Sequence, residues 1–235
     1  MQMHRLAEQF LGTTMLPLKE LEKIMKKTGI IFDMDGTLWD SSKAVAASWT
    51  ETLRQRYGSN RRITAQEIKA VMGLTMDRLA AAIFPDAGEA KRMEMLEVCC
   101  KAENRYLLTH GGILYDGLEE TWEKLKKQHS LYIVSNCQQG YIEAFLTHYG
   151  FGAYFDDIEC YGNNSLPKGV NIKKVVERNA LDDAAYVGDI QGDYEASLMA
   201  GVKFIHAAYG FGKVAADVPK IHSFPELYEV ANRMF

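Results

Sequence analysis

Apolar positions in this chain fall into two alternating patterns. Short, nearly continuous apolar runs occur in "TGIIFDM", "SLYIVSN", "FDDIECYG", "AAYVGD" and "VKFIHAA", and each predicts a buried strand. Between and after them, apolar residues recur at helical spacing in "DGLEETWEKLKKQ", "YIEAFLTHYG", "NIKKVVERNA", "DYEASLMAG" and "FPELYEVANRM". In the first of these, Asp116 is the expected N-cap, with Glu119 three residues on in the manner of a capping box. Strands alternating with helices of about ten residues indicate βαβ units and a mostly parallel sheet covered on both faces.

One long stretch breaks the alternation. From residue 43 to 112 the pattern is helical throughout, in "SKAVAASWTETLRQRYG", "TAQEIKAVMG", "TMDRLAAAIF" and "EAKRMEMLEVCCKAENRYLL". This predicts a helical subdomain inserted after the first strand. The expected division is a leader helix over 1–27, an α/β core over 28–42 and 113–235, and a helical insertion over 43–112. The leader helix rests on Leu18, Leu21 and Met25 in "PLKELEKIMKK". Because "MKKTGIIFDMDGTL" reads as a natural beginning for such a core, the residues before it are read as an appended helix or an upstream start.

Composition narrows the function classes. With 235 residues, 47% of them apolar and 25% charged, the chain is of ordinary globular make-up and long enough for one domain plus an insertion. A net charge of −4 without a long basic run argues against a nucleic-acid partner. No apolar stretch approaches the roughly 20 residues of a membrane helix, and the charged N-terminus does not read as a secretory signal. Cys99, Cys100, Cys137 and Cys160 have no zinc or redox spacing, so reduced thiols in a cytoplasmic protein are expected.

The candidate chemistry collects at the carboxyl ends of the predicted strands, where open parallel sheets bind their ligands. The first strand runs into "FDMDGTL", with Asp33 and Asp35; the second ends in Ser135 and Asn136; "AAYV" leads to "GDIQGD", with Asp189 and Asp193. Lys168, in "SLPKGV", opens the helix before that last strand. Carboxylates crowded in this way require a hard cation, and a few carboxylates plus waters suit Mg²⁺. A hydroxyl, backbone N–H groups and an ammonium remain to hold a phosphoryl group. One carboxylate is then available to attack phosphorus and the other to move protons. Gly36 permits the sharp turn between strand and loop. A calcium loop is excluded, because its twelfth residue counted from Asp33 is Ala44 rather than Glu.

"DMDGTL", Ser135, Lys168 and "GDIQGD" stand in the order and approximate spacing of the haloacid dehalogenase superfamily, and the chain resembles it from Thr28 to the C-terminus. It is most similar to the phosphoglycolate-phosphatase-like members, whose helical cap follows the first motif. The resemblance implies a Rossmann-like core and a phosphatase acting on a small-molecule phosphate monoester, phosphoglycolate-like or a sugar or nucleotide phosphate. Asp33 would be the nucleophile that forms an aspartyl-phosphate and Asp35 the general acid and base. Ser135, Asn136 and Lys168 would bind the phosphoryl group. Asp33, the backbone carbonyl of Asp35 and Asp189 would hold Mg²⁺, with Asp193 supporting through water or from behind. The dehalogenases of the superfamily lack an acid at the Asp35 position, so phosphate chemistry is expected. The expected partner is a small phosphate ester, with no nucleic acid or membrane, in a monomer or homodimer.

Alternatives on the same residues are a sugar phosphomutase, a phosphonate-cleaving enzyme with a Schiff-base lysine (Lys69, Lys91 or Lys101 in the insertion) and a phospho-accepting signalling module. The last is disfavoured by length, by the acceptor's place on the first strand and by the insertion. Within the insertion, the break "MGLTMDR" makes Met72 to Thr75 and Arg78 candidates for contacting substrate. Trp49 and Trp122 read as packing residues, Cys137 as a small core residue, and the six histidines carry no paired ligand spacing.

Overall fold

The structure, a computed structural model, describes residues 26–235, so the expected leader helix lies outside the described residues apart from Lys26 and Lys27. Six parallel strands form one sheet: β1 (Thr28–Phe32), β4 (Ser130–Ser135), β5 (Asp157–Cys160), β6 (Asp183–Gly188), β7 (Lys203–Ala207) and β8 (Lys220–Ile221), in the spatial order β5-β4-β1-β6-β7-β8. The expected α/β architecture is observed. β8 has no sequence counterpart in the pattern above, because two residues are too few to show a period.

Alternate residues of the central strands point to opposite faces, and both faces are covered. Ile30, Phe32, Ile133 and Val187 join one apolar cluster, while Ile31, Tyr132, Val134 and Tyr186 join the other. This is why the strands read as continuous apolar runs. Helices α8 (Lys168–Arg178) and α9 (Gln191–Ala200) cover the second face, through Ile172, Val175 and Ala196. The first face carries α5 (Leu118–Leu125), α6 (Tyr141–Tyr149) and α10 (Leu227–Met234), with Trp122 fully buried among Phe151, Phe155 and Phe224.

Helix α5 starts differently from expectation. Its N-cap is Gly117 at φ 78°, without a side-chain capping bond, and Asp116 lies outside the helix. The backbone turns through the left-handed region there, and the Pro225 ring lies 2.6 Å from where a Cβ would stand. The turn is shaped by that close approach, which a local capping pattern cannot reveal.

Between β1 and β4 the chain leaves through β2 (Trp39–Asp40) and returns through β3 (Ile113–Leu114), which pair antiparallel. Four main helices lie between them: α1 (Ser42–Tyr57), α2 (Ala65–Val71), α3 (Met76–Ile83) and the 22-residue α4 (Glu89–His110). Thr64 and Glu67 form a reciprocal capping box at the start of α2. A short helix, α7 (Tyr161–Asn164), follows β5. Among the described residues no helix is long and apolar enough to cross a membrane.

Candidate active site

The strand order reverses direction between β1 and β6, and the crevice at their carboxyl ends is where such sheets bind ligands. Asp33 directly follows β1, and its N–H continues the ladder to the Val187 carbonyl at 2.9 Å. The chain then turns tightly. Thr37 and Leu38 N–H groups both donate to the Met34 carbonyl, and Gly36 N–H donates to Trp39. Gly36 has φ 82°, and a Cβ on it would run into the Asp189 carboxylate. The glycine therefore does more than permit a turn: it lets the loop after β1 lie against the acid that ends β6.

Around that approach three buried acids converge. Single carboxylate oxygens of Asp33, Asp189 and Asp193 all lie within 4.8 Å of one another. Lys168, the first residue of α8, stands between two of them, with Nζ 3.0 Å from Asp33 Oδ1 and 2.6 Å from Asp193 Oδ1. Asp193 also accepts from the N–H groups of Asp189 (3.0 Å) and Ile190 (3.1 Å), so both its oxygens are engaged inside the protein. Asp189 accepts from Phe211 N–H at 2.7 Å.

Burial of these charges has consequences. It pushes Asp189 up to about 8, with the charges of Asp193 and Asp33 adding to the effect. Asp33 is also raised by burial, against the pull of Lys168. For Lys168, burial disfavours the ammonium, but the Asp193 and Asp33 charges outweigh it and hold the group protonated. One ammonium does not balance three buried acids. The all-oxygen donor set and its excess negative charge fit a hard divalent cation such as Mg²⁺. With Asp193 committed to Lys168 and two amides, Asp33 and Asp189 are the side chains placed to hold it.

Asp35 lies apart from this cluster, although only Met34 separates it from Asp33. Its carboxylate turns onto two hydroxyls: Ser41 Oγ donates at 2.6 Å, and Tyr141 OH lies 2.8 and 2.9 Å from its two oxygens. Burial pushes Asp35 up to about 7, opposed by hydrogen bonds from Ser41 and Tyr141. Of the expected metal-site residues, Asp35 therefore has no side-chain place in the carboxylate group, which leaves only its backbone carbonyl for that task.

Asp35 faces a cavity of about 50 Å³ between the sheet edge and the helical insertion, lined also by Ser135, Asn136 and Cys137. Met72, Gly73 and Leu74 of the "MGLTMDR" break line it, whereas Thr75 and Arg78 do not, and Arg78 is exposed. Asn136 Nδ2 donates to the Gly73 carbonyl at 2.9 Å, joining the loop after β4 to the insertion. Lys69, Lys91 and Lys101 stay out of the cavity and pair with Asp40, Glu94 and Glu97, which removes the support for a Schiff-base reading.

Ser41, Tyr141, Gln138 and Glu103 were not singled out from the sequence. Tyr141 meets Asp35 across 106 positions and Gln138 meets Glu103 across 35, and no local spacing announces either pairing. Trp49, expected to be a packing residue, does stack on Phe84, but its Nε1 also donates to Glu103 Oε2 at 2.5 Å.

A family model described as haloacid dehalogenase-like hydrolase matches residues 30–207. A phosphoglycolate phosphatase of Aquifex aeolicus is 29% identical over 198 residues, covering 81% of this chain and 89% of its own. A phosphoglycolate phosphatase of Rhodobacter capsulatus is 26% identical over 209 residues, covering 84% and 94%. Among solved structures, a haloacid dehalogenase-like hydrolase of Bacteroides fragilis superimposes with a TM-score of 0.74 at 23% identity, over 86% of this chain and all of that one.

Proposed function

This chain belongs to the haloacid dehalogenase-like hydrolase family, and on that premise we propose that it is a Mg²⁺-dependent phosphatase hydrolysing a small-molecule phosphate monoester through an aspartyl-phosphate on Asp33. Residues 28–42 and 113–235 serve as the catalytic core, and residues 43–112 as a cap over the leaving-group side. The names of the two curated relatives support the phosphatase reading.

The observation that carries the proposal is the separation of Asp33 from Asp35. Two acids so near in sequence occupy different electrostatic surroundings, which is how a site assigns one to attack and one to proton transfer. Asp33 sits beside Lys168, and its oxygen attacks phosphorus as the bond to the ester oxygen breaks. Asp35, pushed up to about 7 and facing the cavity, gives its proton to the departing oxygen. It then takes a proton from the water that attacks the phosphorylated Asp33, which restores both groups. Ser135, Asn136 and Lys168 bind the phosphoryl oxygens. Mg²⁺ held by Asp33, the Asp35 carbonyl and Asp189, with Asp193 behind them, would neutralise phosphoryl charge and offset the repulsion among the acids.

Phosphate release from an aryl phosphate, with and without Mg²⁺, tests this reading beside Asp33→Asn and Asp35→Asn. Turnover is expected to require Mg²⁺ and to be abolished by the first substitution. Undiminished turnover without the ion, or full activity of Asp33→Asn, would falsify the mechanism.

A further inference from the structure

The cavity beside Asp35 holds a second buried carboxyl, that of Glu103 on α4. Neutral donors fix it in place: Trp49 Nε1 at 2.5 Å on one oxygen and Gln138 Nε2 at 3.2 Å on the other. Gln138 is itself held by Asn104 Oδ1 at 2.9 Å, so the carboxyl is positioned by both the insertion and the loop after β4. A carboxylate oxygen has two acceptor sites, and among the described residues each oxygen here has one protein donor. The remaining capacity is available to a ligand. Asn136 adds a buried Oδ1 without a partner among the described residues.

No lysine, arginine or histidine lines this cavity among the described residues. The nearest buried ammonium in the site, Lys168, is engaged by Asp33 and Asp193. An ester placed with its phosphoryl group at Asp33 and its leaving oxygen at Asp35 puts its alcohol portion in this space. There it meets acceptors, apolar walls and no counter-charge for an anion.

Resting on the phosphatase reading above, we propose that Glu103 determines specificity: it accepts a hydrogen bond from the alcohol portion of the substrate, which is a small hydroxyalkyl group bearing no acid. Phosphoglycolate-type esters are then disfavoured, because their carboxylate would be buried beside Glu103 and Asp35 without a cation. Burial pushes Glu103 up to about 8. The protonated form keeps its carbonyl oxygen as an acceptor for a substrate hydroxyl, and neither protonation state supplies the positive charge that an anionic leaving group requires.

The test compares two esters of nearly equal size, phosphoglycolate and 2-hydroxyethyl phosphate, in which a hydroxymethyl group replaces the carboxylate. Each competes against aryl-phosphate hydrolysis by the full chain with Mg²⁺, so binding is measured whether or not the ester turns over. The wild type is expected to favour 2-hydroxyethyl phosphate by about 10-fold or more, in line with the loss of roughly one hydrogen bond and the addition of an unpaired buried charge. Glu103→Gln is expected to shrink that ratio several-fold. Equal or inverted preference in the wild type overturns the proposal, as does an unchanged ratio in a Glu103→Gln protein that still hydrolyses the aryl phosphate. If Glu103→Gln fails to fold, the wild-type ratio decides alone. Absence of aryl-phosphate hydrolysis defeats the phosphatase reading itself; hydrolysis with the wrong preference defeats only the assignment of Glu103.

Discussion

Two buried polar clusters face each other across this site, and they are held in different ways. At the sheet edge Asp33 and Asp193 interlock with Lys168 through charge at 3.0 and 2.6 Å, and Asp189 joins them by donating its backbone N–H to Asp193 at 3.0 Å. In the insertion, Glu103 stands among apolar side chains and is held by two neutral donors. Charged partners packed this closely cannot be changed singly without leaving a buried charge unpaired. A carboxyl held by neutral donors can change protonation, partner or identity at lower cost. The first arrangement suits chemistry common to every ester, and the second suits choice among esters.

The largest effect should come from the first cluster. Asp33→Asn removes the attacking oxygen while keeping the shape, and should lower turnover by about 10³-fold or more on all esters alike. A loss confined to one ester would break the comparison.

The second cluster should reveal itself in stability. The Glu103 carboxyl is raised in the folded protein from the ordinary value of 4.5 to about 8, by burial. A raised folded value means that its contribution is fully present below about pH 4.5 and is lost as pH rises towards 8. The stability of the wild type against thermal unfolding should therefore fall over that window relative to Glu103→Gln, by on the order of 5 kcal/mol. The slope is the readout, since glutamine also turns one donor towards Trp49 or Gln138. Parallel pH curves would show that the carboxyl has no free-energy link to folding.

The two clusters also differ in how far the sequence disclosed them. Asp33, Asp35, Ser135, Lys168, Asp189 and Asp193 stand at strand ends and helix starts, where short-range pattern places them, and the parallel sheet follows from the same alternation. Tyr141 and Glu103 meet their partners by the packing of segments far apart in the chain, which leaves no local period, and Ser41 meets Asp35 across an irregular six-residue turn that carries no period either. The two-residue strands β2, β3 and β8 escaped for want of length. Gly36 was legible as a turn residue, but its closeness to Asp189 belongs to the folded sheet edge.

That closeness predicts a substantial effect from one methyl group. Gly36→Ala meets a left-handed backbone at φ 82° and the Asp189 carboxylate together. The backbone strain alone is of order 1–3 kcal/mol, and relieving the clash must move either the Asp35 loop or Asp189. Turnover should fall about 30-fold or more, with circular dichroism unchanged. Near-normal turnover would mean that the two loops are free to part, and that Asp33 and Asp189 act without a fixed spacing.

The smallest effect is expected where the clusters are joined. The Asn136 side chain donates to the Gly73 carbonyl, so one amide from the loop after β4 reaches the insertion beside the cavity. Asn136→Ala loses that bond, an interaction whose net contribution is about 1 kcal/mol. A hydrogen bond between two packed segments acts mainly on how readily they close over a bound ester. Closure raises affinity before the chemical step, so KM should rise several-fold while kcat changes less. The discrimination attributed to Glu103 should persist, because Trp49 and Gln138 still hold that carboxyl. A kcat loss matching that of Asp33→Asn would instead mean that the Asn136 side chain acts chiefly through its phosphoryl contact rather than through Gly73, and the division between a catalytic edge and a selecting face would then run through the loop after β4.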